Sequence, residues 1–322
     1  MDALIHGGPD GQGVPRWDFS TNANACGPAP MALRAVQAAD ATRYPDPQGA
    51  SLRDALARFH GVTHERIVLA ASASEFIRRM TQAVALQRPG AAVHAPSPGY
   101  GEYAQAARAL GLAMADANAA DLVWHTEPGS PGGLSSAPPE VRDGAVLVVD
   151  AAYAPLRLDD RRSTVADHAW QLVSPNKALG LTGVRAAYAI AASNAQMLVA
   201  RLERLAPSWP IGAHGVAMLN TWVEPETQAW LQQSCITLGD WKTQQLALLR
   251  AFGWHCADSV VPFFAARWDD ARIVPSDLRR HGIKLRDTAS MGLPGWVRVS
   301  VQPPTAQQAL RDAWQALTGG VR

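Results

Sequence analysis

The feature of this 322-residue sequence that most constrains its fold is the alternation of short apolar runs with helical patterns between residues 50 and 205. Short apolar runs predict buried strands, and amphipathic spacing between several of them predicts helices. Strands that alternate with helices are typical of a mostly parallel sheet flanked by helices, so we predict an α/β fold. The predicted strands are 67–70, 91–95, 122–125, 146–149 and 187–191. The predicted helices are 51–60, before the first strand, and 74–87 and 103–110, between later strands.

The pattern changes after about residue 225 and indicates a smaller α+β portion. Two strands are predicted there among three helices, and the first 30 residues, rich in Gly, Pro and Asn, predict an extended arm. We therefore expect an arm at 1–30, a large α/β domain at 31–224 and a small α+β domain at 225–322. The C-terminal helices are predicted at 225–252, 276–281 and 305–317, and the strands at 260–265 and 297–301.

Composition excludes several classes of protein. With 48% hydrophobic and 18% charged residues and a net charge of +1, the sequence favours a globular protein with no attraction to nucleic acid or anionic membranes. Its three cysteines form no CxxC pair and its histidines show no metal-ligand spacing, so we expect no disulfide framework and no metal site. The N-terminus lacks a signal-peptide pattern and no apolar run approaches membrane-span length, which predicts a cytoplasmic protein.

One lysine has neighbours that suit covalent chemistry. Lysine occurs only at Lys177, Lys242 and Lys284, and arginine supplies the other basic residues. Lys177 lies in a short glycine-containing loop between Ser174 and Arg185, whose hydroxyl and guanidinium can both bind a phosphate. A nucleophilic lysine needs such a partly desolvated, positively biased pocket. On its own, however, the Ser-x-x-Lys spacing favours the simpler interpretation of a strand end followed by a surface lysine.

An aspartate at the end of a predicted strand adds to this pattern. Asp150 directly follows the run 146–149, and α/β folds bind ligands at the carboxyl ends of strands. A buried Asp can keep a pyridinium nitrogen protonated, and the Tyr153 hydroxyl can bond the phenolic oxygen of the same ring. A lone Asp also fits a helix cap. Asp-x-x-Tyr followed 24 residues later by Lys177 predicts a pyridoxal 5'-phosphate (PLP) site with this lysine as the Schiff base.

Two further segments fit around such a cofactor. Ser72, Ala73 and Ser74 lie between a predicted strand and a predicted helix, where the amides of a helix N-terminus can bind a phosphate. Ordinary capping by either serine explains the same residues and is compatible with that role. Tyr100 could stack on the cofactor ring, although an isolated tyrosine also fits simple packing.

Over nearly its whole length the chain resembles the fold-type I PLP enzymes, in the branch that holds histidinol-phosphate aminotransferase and threonine-phosphate decarboxylase. Its N-terminal motifs look like the opening of the threonine-phosphate decarboxylases, and its C-terminal motifs look like the end that the branch shares. The N-terminal motifs are His6-Gly-Gly, Asp18-Phe-Ser-Thr-Asn-Ala-Asn24, Gly27-Pro28 and Arg43-Tyr-Pro-Asp-Pro47. The C-terminal motifs are Gly282-Ile-Lys-Leu-Arg-Asp287 and Gly292-Leu-Pro-Gly-Trp-Val-Arg-Val-Ser300.

The resemblance implies a role for each matching residue. Lys177 forms the Schiff base, Asp150 pairs with the pyridine nitrogen, Tyr153 bonds the ring hydroxyl and Tyr100 stacks on the ring. The cofactor phosphate is held by Ser72, Ala73, Ser74, Ser174 and Arg185, together with Tyr44, which reaches it in the neighbouring subunit of a homodimer. The substrate carboxylate is bound by Arg298 with Asn24 near it, and the substrate phosphate by His6 and Arg286.

The sequence departs from the family pattern in the stretch that usually reads Asn-Pro-x-Asn-Pro-Thr-Gly. Here it reads Glu127-Pro-Gly-Ser-Pro-Gly-Gly133, so Ser130 stands where the family has the Asn that bonds the ring hydroxyl. A serine is shorter, and Tyr153 could then hold the ring oxygen alone. A milder departure is Ala71, where Asn is common.

The resemblance implies one of two reactions on a phosphorylated substrate. The motifs at His6 and Asp18 favour decarboxylation of L-threonine O-3-phosphate to (R)-1-amino-2-propanol O-2-phosphate for cobalamin biosynthesis. The alternative is a histidinol-phosphate-type aminotransferase that uses 2-oxoglutarate and glutamate. His6 also fits a residue of a terminal arm without any ligand. A PLP-fold protein that had lost its activity would lack Lys177, Asp150 or Arg298, and all three are present.

Overall fold

The computed structural model describes residues 7–160 and 165–319. The strands in this part of the chain fall into a central group and a C-terminal group, plus one short pair. They are β1 (Trp17–Asp18), β2 (Ile67–Ala70), β3 (Ala92–His94), β4 (Ala113–Met114), β5 (Leu122–Thr126), β6 (Val146–Asp150), β7 (Trp170–Val173), β8 (Ala187–Ile190), β9 (His255–Cys256), β10 (Phe263–Arg267), β11 (Ile283–Lys284), β12 (Arg286–Asp287) and β13 (Val297–Ser300).

The helices cover both the central sheet and the C-terminal sheet. They are α1 (Pro30–Gln37), α2 (Ala50–His60), α3 (Ala73–Gln87), α4 (Glu102–Ala109), α5 (Gln196–Leu205), α6 (Ala213–Trp222), α7 (Pro225–Ala251), α8 (Pro275–Arg280) and α9 (Pro304–Leu317). Within the described ranges, no helix combines the length and the hydropathy that crossing a bilayer requires.

The central sheet is mixed and mostly parallel, which confirms the predicted α/β fold. In the described chain it has seven strands in the order β2-β8-β7-β6-β5-β3-β4. β8 runs antiparallel to both β2 and β7, and the remaining neighbours are parallel. Successive residues of β2 pack on opposite faces, Ile67 and Leu69 in one apolar cluster and Val68 and Ala70 in another. Covering both faces removes this apolar surface from water, which is the main favourable term in folding.

The functional end of this sheet is set by β5 and β6. Their parallel register places Thr126 opposite Asp150 at the carboxyl ends of the two strands. The connection between them, residues 127–145, forms neither helix nor strand. It is held against the C-terminal part of the chain at Gly133, whose carbonyl accepts the backbone N–H of Val260 at 2.8 Å. Gly133 has φ +79°, and an added Cβ would lie 2.2 Å from Ser259 Oγ, so a larger residue would push these segments apart.

The C-terminal sheet is antiparallel, in the order β12-β13-β10-β9. β12 and β13 pair so that Arg286 lies directly opposite Arg298. Residues near the N-terminus pack onto this part of the protein, because β1 pairs in parallel with β11 and the Ser300 N–H donates to the Phe19 carbonyl at 2.8 Å. The boundaries predicted at residues 30 and 224 stay a prediction.

Two local predictions were wrong. The helix predicted at 51–60 does not begin with Ser51, whose spacing to Asp54 is that of a capping box: α2 begins at Ala50, whose N–H donates to Asp46 Oδ2 at 2.8 Å. The strand predicted at 260–265 is β10 at Phe263–Arg267. Residues just before it form a loop because Lys242 Nζ donates to the carbonyls of Ser259, at 2.5 Å, and Val261, at 2.9 Å.

Candidate active site

A cavity at the carboxyl end of the central sheet contains most of the predicted site residues. It lies between the ends of β5 and β6, the N-terminus of α3, the loop after β7, and β12 with β13. Of the predicted residues, those lining it are Ala73, Ser74, Tyr100, Ser130, Asp150, Tyr153, Ser174, Lys177, Arg185, Arg286 and Arg298. The fold therefore brings together residues that are up to 225 positions apart in the sequence, from Ala73 to Arg298.

Asp150 is the buried acid of this cavity, with only 4% of its surface exposed. Its Oδ1 accepts the Ala152 N–H at 3.0 Å, and its Oδ2 accepts the Tyr103 hydroxyl at 2.7 Å. Burial raises the pKa of Asp150, while the Tyr103 hydrogen bond, the positive charge of Lys177 and the Ala152 N–H act in the opposite direction. These three groups stabilise the carboxylate form inside a desolvated site.

Lys177 lies in the loop that follows β7. Its Nζ is 5.2 Å from the centroid of the Tyr153 ring, and its backbone carbonyl accepts the N–H of Asn24 at 2.9 Å. Near the start of this loop, Ser174 Oγ donates to Asn176 Oδ1 at 3.0 Å. The backbone around the lysine is thus fixed by polar contacts, while its amine faces the cavity.

The N-terminus of α3 forms another wall. Ser72 is its N-cap and accepts the Glu75 N–H at 3.1 Å, so the capping interpretation is correct, and Ser72 itself is not among the cavity-lining residues. Ala73 and Ser74 do line the cavity, and Ser74 Oγ lies 3.3 Å from the Tyr100 hydroxyl. Burial raises the pKa of Tyr100 to about 12. It is therefore protonated at neutral pH.

Two arginines occupy the opposite end of the cavity. Arg298 is buried, and its Nη1 donates to Ser130 Oγ at 3.0 Å while its Nη2 donates to the Ser20 carbonyl at 3.1 Å. Arg286 donates to Ser290 Oγ at 3.1 Å. Within the described ranges, Nη1 of Arg286 and Nε of Arg298 are buried without an acceptor. Burial lowers the pKa of both guanidinium groups, and the Arg298 charge adds to this effect on Arg286.

Three predicted residues are placed elsewhere, and one lies outside the described ranges. Asn24 is buried, donating to the Ala178 carbonyl at 3.0 Å and accepting the Cys26 N–H at 3.0 Å, and it does not line the cavity. Tyr44 is 77% exposed and stacks on Trp209 with ring centroids 4.2 Å apart. Ser72 caps α3 as described above. His6 falls outside residues 7–160 and 165–319.

The cavity also contains polar residues that sequence reasoning missed. Tyr103 contacts Asp150, and Asn22 Nδ2 donates to the Tyr153 hydroxyl at 3.3 Å. Thr126 and Asn176 also line the cavity. Thr126 had a usable signal, because it ends a strand predicted beside the one that carries Asp150. Tyr103 had none, since helical spacing alone does not separate it from a core residue.

Comparison with known proteins identifies the family. The sequence profile described as "Aminotransferase class I and II" matches residues 17–317. The chain belongs to this family. It is 26% identical to a histidinol-phosphate aminotransferase of Jannaschia sp. (strain CCS1) over 89% of this chain and 87% of the relative. A histidinol-phosphate aminotransferase of Thermobifida fusca (strain YX) is 29% identical over 94% of this chain and 90% of the relative.

Solved structures show the same fold. Histidinol-phosphate aminotransferase from Sinorhizobium meliloti in complex with pyridoxal-5'-phosphate superposes with a TM-score of 0.79 at 21% identity, covering 94% of this chain and 90% of that chain. L-threonine-O-3-phosphate decarboxylase from Porphyromonas gingivalis superposes with a TM-score of 0.77 at 19% identity, covering 94% and 99%. The fold-type I architecture predicted from the sequence is confirmed.

This family is PLP-dependent, and the residues of the cavity fit that cofactor. A buried acid whose carboxylate form is favoured by a hydroxyl, a backbone N–H and a lysine charge suits a pyridinium nitrogen, and the lysine amine lies in the same cavity. The start of α3 and the hydroxyl groups and arginine that line the same cavity suit a phosphate. The chain is therefore an enzyme of the PLP-dependent aminotransferase family, as the sequence predicted.

Proposed function

We propose that this enzyme decarboxylates L-threonine O-3-phosphate to (R)-1-amino-2-propanol O-2-phosphate, a precursor for cobalamin. The observation that carries the proposal is the pair formed by Arg286 and Arg298, directly opposite each other on β12 and β13 at one end of the cavity. Like charges in directly opposed positions of a sheet are destabilising. A ligand with two anionic groups offsets that repulsion.

The two arginines also have hydrogen-bond donors that no acceptor among residues 7–160 and 165–319 satisfies. In the described part of the chain, Asp287 acts on Arg286 and Asp18 on Arg298 only through space, without a hydrogen bond, and each guanidinium retains a buried N–H without an acceptor. Leaving such groups unpaired costs about 1–3 kcal/mol each. Threonine phosphate carries a carboxylate and a phosphate a few bonds apart, and both accept guanidinium hydrogen bonds. We assign the carboxylate to Arg298 and the phosphate to Arg286, with His6 as a further phosphate contact.

The cofactor roles follow from the arrangement around Asp150. We propose that Lys177 holds PLP as a Schiff base, Asp150 bonds its pyridine nitrogen, Tyr153 bonds its ring hydroxyl and Tyr100 packs on its ring. The cofactor supplies an electron sink that accepts the electron pair left at the substrate α-carbon. Its phosphate is assigned to Ala73, Ser74, Ser174 and Arg185, which line one side of the cavity, with Ser72 holding the helix start that presents these residues.

Reaction choice depends on which bond of the α-carbon stands perpendicular to the cofactor ring. Decarboxylation breaks the bond between the α-carbon and the carboxylate, releases CO2 and places a proton on the α-carbon. Arg298 is held from two sides, by Ser130 Oγ and by the Ser20 carbonyl, so the position of a bound carboxylate is fixed by the protein. We assign the return of this proton to the amine of Lys177, which lines the cavity.

A histidinol-phosphate-type aminotransferase is the second candidate, favoured by the names of the curated relatives. It too needs donors for anions, since glutamate has two carboxylates. The two reactions differ in their co-substrate. A decarboxylase forms CO2 and the amino-alcohol phosphate from threonine phosphate alone, whereas an aminotransferase needs a 2-oxo acid to complete each cycle.

The deciding experiment incubates the holoenzyme with L-threonine O-3-phosphate, without any 2-oxo acid, and measures CO2 and amino-propanol phosphate. A parallel reaction contains histidinol phosphate and 2-oxoglutarate. Multiple turnovers in the first reaction support the proposal. Turnover in the second reaction alone would refute it and establish the aminotransferase. Lys177→Ala tests the cofactor attachment and should remove the visible absorbance of bound PLP.

We also propose that the enzyme works as a homodimer in which Tyr44 reaches the cofactor phosphate of the neighbouring subunit. Its support is the exposed stack of Tyr44 and Trp209, which are 77% and 44% exposed in the single chain. Sedimentation measures the assembly directly. Tyr44→Phe should weaken PLP binding without separating the subunits, whereas unchanged PLP affinity would contradict this role.

A further inference from the structure

An asparagine inside the cavity has an acceptor without a donor. Asn22 is 3% exposed and lines the cavity. Its Nδ2 donates to the Tyr153 hydroxyl at 3.3 Å, while its Oδ1 is buried and has no hydrogen-bond partner among the described residues. An unpaired buried acceptor costs about 1–3 kcal/mol. A ligand that brings a donor to this atom would recover that cost.

Asn22 is linked by short contacts to the parts of the cavity that contain Arg298 and Lys177. The Ser20 carbonyl, two residues earlier, accepts from Arg298, and the Tyr153 ring that Asn22 contacts lies 5.2 Å from Lys177 Nζ. A ligand whose carboxylate binds Arg298 and whose amino group points towards Lys177 can therefore bring its amino nitrogen within reach of Asn22 in the same cavity. That nitrogen carries the hydrogen-bond donors that Oδ1 lacks.

We propose that Asn22 is a substrate-positioning residue whose Oδ1 accepts an N–H of the substrate amino group. Its Nδ2 at the same time donates to the Tyr153 oxygen, which leaves the Tyr153 proton for a different acceptor in the cavity. The amide thus links the position of the substrate amine to the orientation of Tyr153. This inference rests on the proposed function only in requiring an α-amino acid with a second anionic group, which both candidate reactions use.

The neighbouring Asn24 shows why this role belongs to Asn22. Both side chains are 3% exposed, but the two polar atoms of Asn24 are satisfied by backbone groups of Ala178 and Cys26. Asn24 therefore has no acceptor left for a ligand and does not line the cavity. Residues two positions apart would face the same side of a regular strand, so the two asparagines differ because the backbone bends at Thr21 and Ala23 in this irregular segment.

The experiment compares ligands with and without the amino group, on the holoenzyme. One pair of probes is L-threonine O-3-phosphate and (R)-3-(phosphonooxy)butanoate, and a second pair is L-glutamate and glutarate. Affinity for the amino member is measured from the change in visible cofactor absorbance on rapid mixing, before turnover, and affinity for its partner by competition. The quantity tested is the ratio of the two affinities, so effects on the anionic groups cancel.

Asn22→Leu should lower this ratio by about 10-fold, the loss expected for one hydrogen bond to a neutral or charged amine. Asn22→Asp keeps an acceptor at the same place and should restore the ratio to within about threefold of wild type. Asn22→Ala serves as the second test variant if the leucine variant does not fold. Thr227→Val is the matched control, because Thr227 Oγ1 is also buried without a partner but lies on α7, outside the cavity.

Each outcome has a distinct meaning. A wild-type ratio in Asn22→Leu, or an equal loss in Thr227→Val, would overturn the role of Asn22. A loss seen with the glutamate pair, in an enzyme that binds neither phosphorylated probe, would support Asn22 and refute the proposed function instead.

Discussion

Tyr103→Phe removes a single hydroxyl from the candidate active site and tests how Asp150 is kept ionised. Tyr103 is fully buried, stacks on Trp124 and donates to Asp150 Oδ2 at 2.7 Å. Burial, followed by the charge of Asp150, raises the pKa of Tyr103 far above its usual range. The hydroxyl therefore keeps its proton at any working pH and acts as a donor to the carboxylate.

The expected effect follows from the charge of the acceptor. A hydrogen bond to an ionised group contributes about 1.5–3 kcal/mol, against about 0.5–1.5 kcal/mol for a neutral pair. Asp150 would keep only the Ala152 N–H and the charge of Lys177 as stabilising groups, so burial would raise its pKa further. Because the ionised acid is the form that pairs with a pyridinium, PLP should bind about 10- to 100-fold more weakly.

The assay is a titration of the cofactor-free protein with PLP, followed by visible absorbance at several pH values. The weakening should be larger at lower pH, where the variant carboxylate is protonated first. Tyr188→Phe is the matched control, since Tyr188 is equally buried and its hydroxyl bonds Trp222 and His60 outside the cavity. Equal PLP affinity in Tyr103→Phe and wild type at all pH values would refute the role given to this hydrogen bond.

Three further predictions concern buried charges. Burial raises the pKa of Asp150, so the ionised carboxylate lowers the stability of the folded protein above that pKa, and the protonated form does not. Asp150→Asn should therefore raise the melting temperature of the cofactor-free protein at neutral pH, by an amount that shrinks as pH falls. The same variant should bind PLP more weakly. Arg286→Met should raise KM for threonine phosphate about 10- to 100-fold in steady-state assays without lowering the melting temperature, because it also removes the repulsion with Arg298. Burial lowers the pKa of Lys242 to about 8, so the folded protein holds this proton less tightly than the unfolded chain. Denaturation of wild type and Lys242→Met at several pH values should show the wild type gaining stability relative to the variant as pH rises from about 8 to 10. A difference that is constant over this range would contradict the assignment.

The fold was predictable because its strands are short continuous apolar runs. The runs 146–149 and 67–70 both form strands of the seven-stranded sheet, β6 in its middle and β2 at its edge. β7 was missed because Trp170–Val173 contains a polar Gln171 and follows no clear turn signal. The start of α2 was misplaced because Ser51 and Asp54 have capping-box spacing, while Asp46, further back, makes the actual contact.

The candidate site was predictable where the position of a residue in a strand decides where its side chain lies. Asp150 ends a buried strand, so its side chain had to lie at the carboxyl edge of the sheet. Asn22 and Asn24 show the limit of this reasoning. They lie in a segment that forms neither helix nor strand, and only tertiary contacts decide which of the two side chains faces the cavity. The sequence alone therefore does not distinguish the asparagine that lines the cavity from the one that does not.

The serine at position 130 has a consequence that only the three-dimensional arrangement reveals. Ser130 Oγ accepts from Arg298 Nη1 at 3.0 Å, so this hydroxyl serves the arginine assigned to the substrate carboxylate. An asparagine there could accept from the same guanidinium through its Oδ1 and still offer an Nδ2 donor to the ring hydroxyl, which a serine lacks. On the other side of Tyr153, Asn22 supplies an amide donor at 3.3 Å. The site therefore keeps one amide beside the tyrosine, but that amide comes from the N-terminal segment instead of the β5–β6 connection. Anchoring of Tyr153 in this enzyme consequently depends on how residues 17–24 pack against the C-terminal part of the chain, through the β1–β11 pair and the Ser300–Phe19 hydrogen bond.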